Sequence, residues 1–219
     1  MTFQLTPWQV PPSQPELIAD EVHLWRFPLV SMDSLEHLLD EGELQRARRL
    51  RIPEKASAFI VARARLRQIL AGYLDLAPHS LSFAYGPSGK PALAGLVDTL
   101  SFNLAHSGNW GLCAVAKAGE VGVDIETLDF ELDYVRLAER FFSTAEKKRL
   151  HECPASRRRR FFFRIWTRKE AWLKGKGCGF SDPDQDIGPA HLDGCCTYDG
   201  SWWLRSFPVN RHCLATLAV

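Results

Sequence analysis

The chain has 219 residues, of which 46% are hydrophobic and 24% are charged, which is ordinary usage for a globular protein. Lysine and arginine total 27 against 26 aspartate and glutamate, so the net charge of +1 excludes a polybasic tail or an acidic disordered chain. No apolar run reaches the roughly 18 residues of a membrane span, and the N-terminus lacks the pattern of a signal peptide. We therefore expect a soluble cytoplasmic protein without a membrane partner.

The first predicted elements are an extended lead-in over 1–20, a strand over 22–27 and one or two short helices over 33–51. A stronger helix follows Pro53 and runs to about Tyr73, because apolar residues recur there at spacings of three and four. Arg63 and Arg67 are four residues apart on another face of this helix, so they can meet one anion together.

The sequence pattern then changes to a period of two, which predicts strands over 81–85, 100–106, 110–117 and 120–126. Ala118 and Gly119 predict a hairpin between the last two of these strands. Further segments predict helices over 134–142, 143–150 and 160–174, followed by an antiparallel pair over 201–207 and 212–219. Strands that cluster apart from the helices are typical of an α+β fold.

Charge is unevenly distributed along the chain. Residues 46–67 hold eight basic side chains and one acid, and residues 157–176 hold nine basic side chains and one acid. This layout indicates either a polyanion site that contains a metal or two solvated helix faces, and charge alone favours the second interpretation. The six cysteines show no zinc-site spacing, and a reducing compartment is their simplest context, although the adjacent Cys195 and Cys196 could oxidise.

Two short segments carry carboxylates in patterns that suit a metal. Asp124 and Glu126 are two apart on a predicted strand, so both project from one face, where a hard cation such as Mg²⁺ would offset their repulsion. On the predicted helix over 160–174, Glu170 lies one turn before Lys174 and adds a third carboxylate beside a phosphate-binding cation. An exposed acidic strand and a surface Glu–Lys pair are the alternatives for the two segments taken singly.

Two further segments offer donors for a phosphate. His106 stands near the end of a predicted strand, followed by Ser107 and Gly108. Residues 86–91 form a turn-rich segment with one cation, Lys90, and they match neither a P-loop nor a dinucleotide fingerprint.

In their order and combination these segments resemble the single-chain, Sfp-type 4′-phosphopantetheinyl transferases. The matching motifs are GKPAL (89–93), FNLAHSG (102–108), GVDIE (122–126) and WTRKEAWLKGKG (166–177). The resemblance covers about residues 45–180, and Ala105 departs from it because the family usually has serine there. It implies transfer of the phosphopantetheine arm of coenzyme A to a carrier-protein serine, with release of adenosine 3′,5′-bisphosphate, as in holo-[acyl-carrier-protein] synthases.

The resemblance also assigns roles to individual residues. Asp124, Glu126 and Glu170 would bind Mg²⁺, and Lys174 would neutralise the pyrophosphate during transfer. The nucleotide end of coenzyme A would contact His106 and Lys90, with Gly89 and Pro91 along the adenine and Arg46, Arg63 and Arg67 as candidates for the 3′-phosphate. Glu146 is a candidate general base, but Ser143-x-x-Glu146 is also a helix capping box, and a metal-bound hydroxide or a water relay is the rival base.

The family fold is a pseudo-dimer of two similar α/β halves. This implies an N-terminal half over 1–109 with the nucleotide contacts and a C-terminal half over 110–219 with the carboxylates, and the chain is expected to be a monomer. The acidic carrier protein would meet the second basic segment and Phe161–Phe163, two of which are expected in the core. The sequence leaves open whether the carrier serves fatty-acid, polyketide or peptide synthesis.

Three other functions are compatible with parts of this pattern. A basic nucleic-acid-binding protein would use the arginine-rich helices, although three converging carboxylates would repel a phosphate backbone unless metal is bound. A Mg²⁺-dependent coenzyme A or nucleotide pyrophosphatase would use the same carboxylates and release free phosphopantetheine. A module that binds coenzyme A without catalysis is the third.

Overall fold

The computed structural model describes residues 2–7, 14–18, 21–30, 32–96, 99–129, 131–179, 186–187, 196–198 and 201–219. The chain forms two compact units: the first unit comprises residues 1–85 and 91–119, and the second comprises residues 86–90 and 120–219. Each unit combines one helix of 22 residues with a four-stranded sheet, which confirms the predicted α+β class. None of the helices in the described ranges is both long and apolar enough to cross a membrane.

The first unit is built on a mixed sheet. Its elements are β1 (Thr2–Pro7), β2 (Glu21–Pro28), α1 (Glu41–Arg48), α2 (Pro53–Leu74), β3 (Phe83–Tyr85), β4 (Pro91–Leu93), β5 (Ser101–Ser107) and β6 (Trp110–Ala116), with 3-10 turns at Glu36–Leu38 and Pro78–Ser80. The sheet order is β1-β2-β6-β5, and β3 pairs with β4 alone. Because β1 runs parallel to β2, part of the predicted extended lead-in is a sheet strand.

Helix α2 supplies much of the core of the first unit. Pro53 stands in its first turn, where a missing N–H costs no hydrogen bond, and Asp75 ends the helix in the left-handed conformation with φ 53°. Four of the predicted apolar positions lie in one buried cluster with side chains of β2, β5 and β6; they are Ala62, Leu66, Ile69 and Leu70. The predicted helix and its apolar stripe are thus confirmed.

The second unit contains an antiparallel sheet of order β7-β10-β9-β8. Its elements are β7 (Gly122–Thr127), α3 (Tyr134–Phe141), α4 (Thr144–Glu152), α5 (Ala155–Lys176), β8 (Cys196–Tyr198), β9 (Trp203–Asn210) and β10 (Cys213–Ala218). Helix α5 packs on one face of this sheet, where the hydroxyl of Thr167 lies 2.9 Å from that of Thr216 on β10. Of the pair Cys195–Cys196, Cys195 lies outside the described residues.

Two glycines let α5 approach β7 closely. A Cβ on Gly122 would collide with the carbonyl oxygen of Ala171 and the backbone nitrogen of Gly175. A Cβ on Gly175 would lie 2.7 Å from the ring of Trp202. Strand and helix therefore meet main chain to main chain at Gly122, where a side chain would force them apart, whereas a side chain at Gly175 would have to displace the Trp202 ring.

Two predictions about the middle of the chain need correction. The predicted hairpin at Ala118–Gly119 is wrong, because β6 lies between β2 and β5 in one sheet whereas β7 pairs with β10 in the other. Gly119 has φ 78° and connects the two sheets instead of turning within one. For the same reason the units divide after Gly119 rather than after residue 109, since β6 belongs to the first sheet.

We expect Gly122→Ala to destabilise the protein by about 1–3 kcal/mol, because the added methyl group has no room between β7 and α5. Thermal unfolding followed by circular dichroism measures the loss. Gly179→Ala is the matched control, because a Cβ at Gly179 meets no atom of the described structure within 4 Å. Equal melting temperatures for the two variants would contradict the close contact.

Candidate active site in the second unit

Strand β7 presents the two predicted carboxylates on the face that carries α5. Val123 and Ile125 point to the opposite face and are buried. Asp124 is paired in register with Thr216, whose hydroxyl contacts α5, so Asp124 faces that helix. The predicted alternation along this strand is confirmed, and Glu126 lies two residues further on the same face.

Helix α5 brings Glu170 and Lys174 to Asp124. The Lys174 ammonium donates a hydrogen bond of 2.6 Å to Asp124 Oδ1 and lies 4.0 Å from Glu170 Oε2. Glu126 contributes to the negative potential at the same ammonium. We call Asp124, Glu126, Glu170 and Lys174 the acid cluster; three carboxylates from two elements thus act on one lysine.

Burial dominates the electrostatics of the acid cluster. It raises the pKa of Asp124, against the attraction of Lys174. It also raises the pKa of Glu170 to about 7, where the Lys174 charge opposes the shift and the Asp124 charge adds to it. Burial by itself would lower the pKa of Lys174, but Asp124 and Glu170 together raise it. If all three carboxylates were ionised, one ammonium would not neutralise them, so the raised pKa values mean that the cluster favours binding protons in the absence of another cation.

The donor set of the acid cluster fits a hard divalent cation. Asp124 Oδ2 is buried, and no donor of the described residues reaches it. Carboxylate oxygens suit Mg²⁺, which usually takes one or two carboxylates and fills its remaining positions with water and phosphate oxygens. Within the described ranges no three His, Cys, Asp or Glu side chains are placed so that they could together hold a metal ion, so one or two carboxylates and substrate oxygens would have to do so.

Glu146 lies in a different, fully buried setting. The Ser143 N–H donates to Glu146 Oε2 at 2.7 Å and the Glu146 N–H donates to Ser143 Oγ at 3.2 Å, so the capping box at the start of α4 is complete. Lys169 donates to the same Oε2 at 2.9 Å, and neither charged side chain is exposed. Burial raises the pKa of Glu146, against the Lys169 charge. These contacts support the capping interpretation of Glu146.

Lys90 is bound to main-chain oxygens of the second unit. It follows a turn in which Gly89 has φ 78°, a conformation that favours glycine. The Lys90 ammonium donates to the carbonyls of Gly175 at 2.6 Å and Val121 at 3.3 Å. A cation at Gly175 also complements the C-terminal end of the α5 dipole. Burial lowers the pKa of Lys90, and Glu120 opposes that shift.

In the first unit, Arg63 and Arg67 do meet one anion together, but it is Glu43. Arg63 Nε bonds Glu43 Oε1, and Arg67 Nε donates to Glu43 Oε2 at 2.7 Å. The rest of the Arg67 guanidinium donates to Asp40 and to the carbonyls of Pro78 and Leu81. Arg67 is fully buried. The prediction that Arg67 contacts a phosphate is therefore wrong, because its guanidinium is buried and bound within the protein. Arg67 has a structural role in the core instead.

The remaining predicted residues of the first unit lie nearer the surface. Arg63 is almost buried and also donates to the Tyr85 hydroxyl at 3.1 Å. Arg46 is exposed on α1, and its guanidinium lies 5.4 Å from the Phe59 ring centre. His106 is exposed near the end of β5, and Pro91 begins β4.

Sequence reasoning overlooked two buried partners. Glu43 belongs to a capping box with Asp40, and the D-x-x-E pattern before α1 could have identified it. Lys169 is the partner of Glu146, but no local signal joins them because 23 residues separate them. Phe162 and Phe163 are buried in the core, while Phe161 is partly exposed. This confirms the prediction that two of these three phenylalanines belong to the core.

Comparisons with known proteins identify the family. The 4′-phosphopantetheinyl transferase HetI of Nostoc sp. is 37% identical over 224 residues, which cover 97% of this chain and 93% of HetI. The chain belongs to the 4′-phosphopantetheinyl transferase family. Two further 4′-phosphopantetheinyl transferases are similar to this chain. The enzyme psf-1 of Bacillus pumilus is 36% identical over 62% of this chain and 56% of psf-1. The enzyme Sfp of Bacillus subtilis is 30% identical over 68% of this chain and 66% of Sfp.

The model of the ACPS family, described as the 4′-phosphopantetheinyl transferase superfamily, matches residues 120–211. This range contains the whole acid cluster, so the family relationship and the site coincide in the second unit. The chain is thus a transferase that moves the phosphopantetheine arm of coenzyme A to a carrier-protein serine. The resemblance seen in the motifs is confirmed, and it disfavours the pyrophosphatase and nucleic-acid-binding alternatives.

We expect Glu170→Gln to remove a pH-dependent loss of stability. The folded pKa of about 7 exceeds the ordinary value of 4.5, so ionisation of Glu170 costs stability as the pH rises between these values, by on the order of 3 kcal/mol. The melting temperature of the variant minus that of the wild type should therefore increase as the pH rises from 4.5 to 7. A constant difference across this range would contradict the shifted pKa.

We expect Glu146→Gln to lower stability by about 3–5 kcal/mol, because Lys169 would lose its buried partner, while the folded variant keeps most of its transferase activity. Chemical denaturation measures stability, and turnover per folded molecule measures activity. Glu146→Gln combined with Lys169→Met should recover part of the stability, since no buried charge is then left unpaired. Loss of turnover in a stable variant would instead assign Glu146 to catalysis.

Proposed function

We propose that the acid cluster binds Mg²⁺ and, through it, the pyrophosphate of coenzyme A. Buried Asp124 Oδ2 carries this proposal, because a carboxylate oxygen without a donor is costly unless a cation completes the site. Glu126 and Glu170 are the other proposed ligands. When bound, Mg²⁺ would offset the charge of the pyrophosphate and help to align it for transfer.

Lys174 is the proposed electrostatic catalyst. Its ammonium lies between Asp124 and Glu170, and the raised pKa keeps it charged at neutral pH. In the transfer, the serine oxygen of the carrier forms a bond to the β-phosphorus, and the phosphoanhydride bond to the nucleotide breaks. Adenosine 3′,5′-bisphosphate leaves with the electron pair, and a fixed cation beside its phosphate lowers the cost of that charge.

The proton of the attacking serine needs an acceptor, and Glu170 suits this role better than Glu146. Glu170 is partly exposed, so a substrate hydroxyl can reach its carboxylate. Glu146 is not exposed and is bound to Lys169 and the α4 cap. We therefore propose Glu170 as the proton acceptor and Glu146 as a structural residue.

The nucleotide end of coenzyme A is proposed to contact the remaining candidates. Exposed His106 and the Gly89–Pro91 segment with Lys90 are suited to the adenosine, because a turn and a strand end leave polar groups at the surface. Arg46 is exposed and is the stronger candidate for the 3′-phosphate, with Arg63 second because most of its guanidinium is bound to Glu43 and Tyr85.

The finer specificity also belongs to the proposal. We propose a cytoplasmic monomer that modifies an acyl or peptidyl carrier protein, in the manner of a holo-[acyl-carrier-protein] synthase. Buried free thiols at Cys113 and Cys213 support a reducing compartment. The choice among fatty-acid, polyketide and peptide carriers is left to the assay below.

We expect a panel of apo carrier proteins incubated with coenzyme A and Mg²⁺ to gain the mass of phosphopantetheine on one serine, as measured by mass spectrometry. Asp124→Ala should reduce this rate at least about a hundredfold, because it removes a proposed ligand and the partner of Lys174. Glu139→Ala is the matched control, since this glutamate is exposed and its Lys147 contact is 3.4 Å. Free phosphopantetheine without a modified carrier would instead indicate a pyrophosphatase.

Mg²⁺ binding itself has a readout that does not depend on activity. Added Mg²⁺ should raise the melting temperature of the wild type and of Glu139→Ala, because a ligand that binds the folded state stabilises it. The same addition should leave Asp124→Ala unchanged. Equal shifts in all three proteins would remove Asp124 from the metal site.

A further inference from the structure

The end of α5 and the start of β7 are joined by one side chain. The Lys90 ammonium donates to the carbonyl oxygen of Gly175 at 2.6 Å and to that of Val121 at 3.3 Å. Gly175 lies in the last turn of α5, and Val121 directly precedes β7. We call these two hydrogen bonds the lysine bridge. All three of its residues belong to the second unit.

The turn that carries Lys90 is closed by its own main chain. The Gly86 N–H donates to the carbonyl of Lys90 at 3.0 Å, and the Gly89 N–H donates to the carbonyl of Gly86 at 2.9 Å. The positive φ of 78° at Gly89 lets the chain make this turn. Because the turn is already ordered, little further conformational freedom is lost when its lysine binds.

The last turn of α5 is enclosed on several sides. A Cβ at Gly175 would lie 2.7 Å from the Trp202 ring and 3.5 Å from the backbone nitrogen of Gly122. A Cβ at Gly177, which ends the helix with φ 67°, would lie 3.7 Å from Cδ of Lys90. The stem of Lys90 therefore runs past the helix end, and its ammonium holds the carbonyl that follows Lys174.

The lysine bridge lies next to the ion pair of the acid cluster. Gly175 directly follows Lys174, and Val121 stands three residues before Asp124. The Lys174–Asp124 hydrogen bond is 2.6 Å long, so a shift of α5 relative to β7 would lengthen or misalign it. A displacement of about 1 Å at a reacting site can cost roughly a hundredfold in rate.

The chemistry of the bridge suits a lysine that acts through the main chain. Neither acceptor is a carboxylate: both are carbonyl oxygens, and that of Gly175 belongs to the negative end of the α5 dipole. An ammonium on a long stem has three donors and can bond both carbonyls at once. Lys90 thus differs from Lys174, whose ammonium bonds a carboxylate of the acid cluster directly.

We propose that Lys90 is a positioning residue for the transfer reaction, because the lysine bridge fixes Lys174 against Asp124. This inference rests on the proposed function of the acid cluster and deepens it. The Lys90 ammonium is bound within the protein, so the adenosine contact proposed for this segment falls to the residues on either side of it.

Lys90→Met tests the proposal, because it removes the ammonium and keeps most of the apolar stem. At saturating coenzyme A and Mg²⁺, kcat for an apo carrier protein should fall about tenfold to a hundredfold, while KM for coenzyme A changes less than about threefold. Lys90→Arg should restore part of kcat, since a guanidinium can also donate to two carbonyls. Lys148→Met is the matched control, because it removes the same charge at an exposed position of α4.

Hydrogen exchange of the free protein is a readout that needs neither substrate nor metal. The N–H groups of Gly177 and Cys178 donate to carbonyls in the last turns of α5. Peptides that contain them should exchange faster in Lys90→Met, because the helix end opens more often without the bridge. Lys176→Met is the control for this measurement, since it removes the same charge at the same helix end, and it should change the exchange less.

Melting temperatures check that each variant is folded, and Lys90→Gln replaces Lys90→Met if that variant unfolds. A raised KM for coenzyme A with unchanged kcat and unchanged exchange would overturn the proposal and make Lys90 a nucleotide contact only. Equal exchange in Lys90→Met and Lys176→Met would overturn it in favour of a general charge effect. Failure of the proposed function is distinguishable, because Mg²⁺ would then not raise the melting temperature of the wild type. Wild-type kcat in Lys90→Met with intact Mg²⁺ stabilisation would overturn the positioning role alone.

Discussion

The hydrogen-bonded ion pair between Lys174 and Asp124 joins the two elements on which the active site depends. It links α5 to β7 across 2.6 Å in a largely buried setting. Without it, Asp124 and Glu170 would face each other with no fixed positive charge between them, and folding would have to protonate or separate them. The same lysine that holds these two elements together in the free protein is the one that we propose neutralises phosphate charge during transfer.

Among the residues that the structure describes, buried carboxylates occur at three places, and their partners differ. Glu43 has two arginines and a backbone donor, so both oxygens are satisfied. Glu146 has a lysine and a backbone donor on Oε2, while no described donor reaches its Oε1, and the whole side chain is shielded from solvent. Asp124 has one lysine and a second oxygen that no described donor reaches. Asp124 and Glu146 are thus both incompletely satisfied, but Asp124 lies beside a partly exposed glutamate, which is why the acid cluster is the proposed ligand site.

Local patterns in the sequence predicted most of the fold, because helices and strands leave a period in the chain. The stripe of α2, the alternation of β7 and the capping box at Ser143 are all of this kind. The four motifs also identified the carboxylates and Lys174, which the structure brings together. The roles of these residues in metal binding and proton transfer are still predictions.

What the sequence did not reveal depends on contacts between distant segments. Arg63 and Arg67 bond Glu43 from 20 and 24 residues away, so their charges looked available for a phosphate. The turn at Gly119 is equally compatible with a hairpin and with a connection between sheets, and only sheet assembly decides which strand β6 joins. Pairing partners of this kind have no periodic signal.

The glycine contact between β7 and α5 has a consequence for how the chain tolerates insertions and deletions. If the helix slid along the strand until the next residue of the same face stood at this place, the Asp124 side chain would replace Gly122 against the carbonyl of Ala171. The register of the two elements is therefore fixed by the absence of side chains. Length changes between residues 128 and 154 must be absorbed by α3, α4 and their connections, which leaves the spacing of Asp124 and Glu170 unchanged.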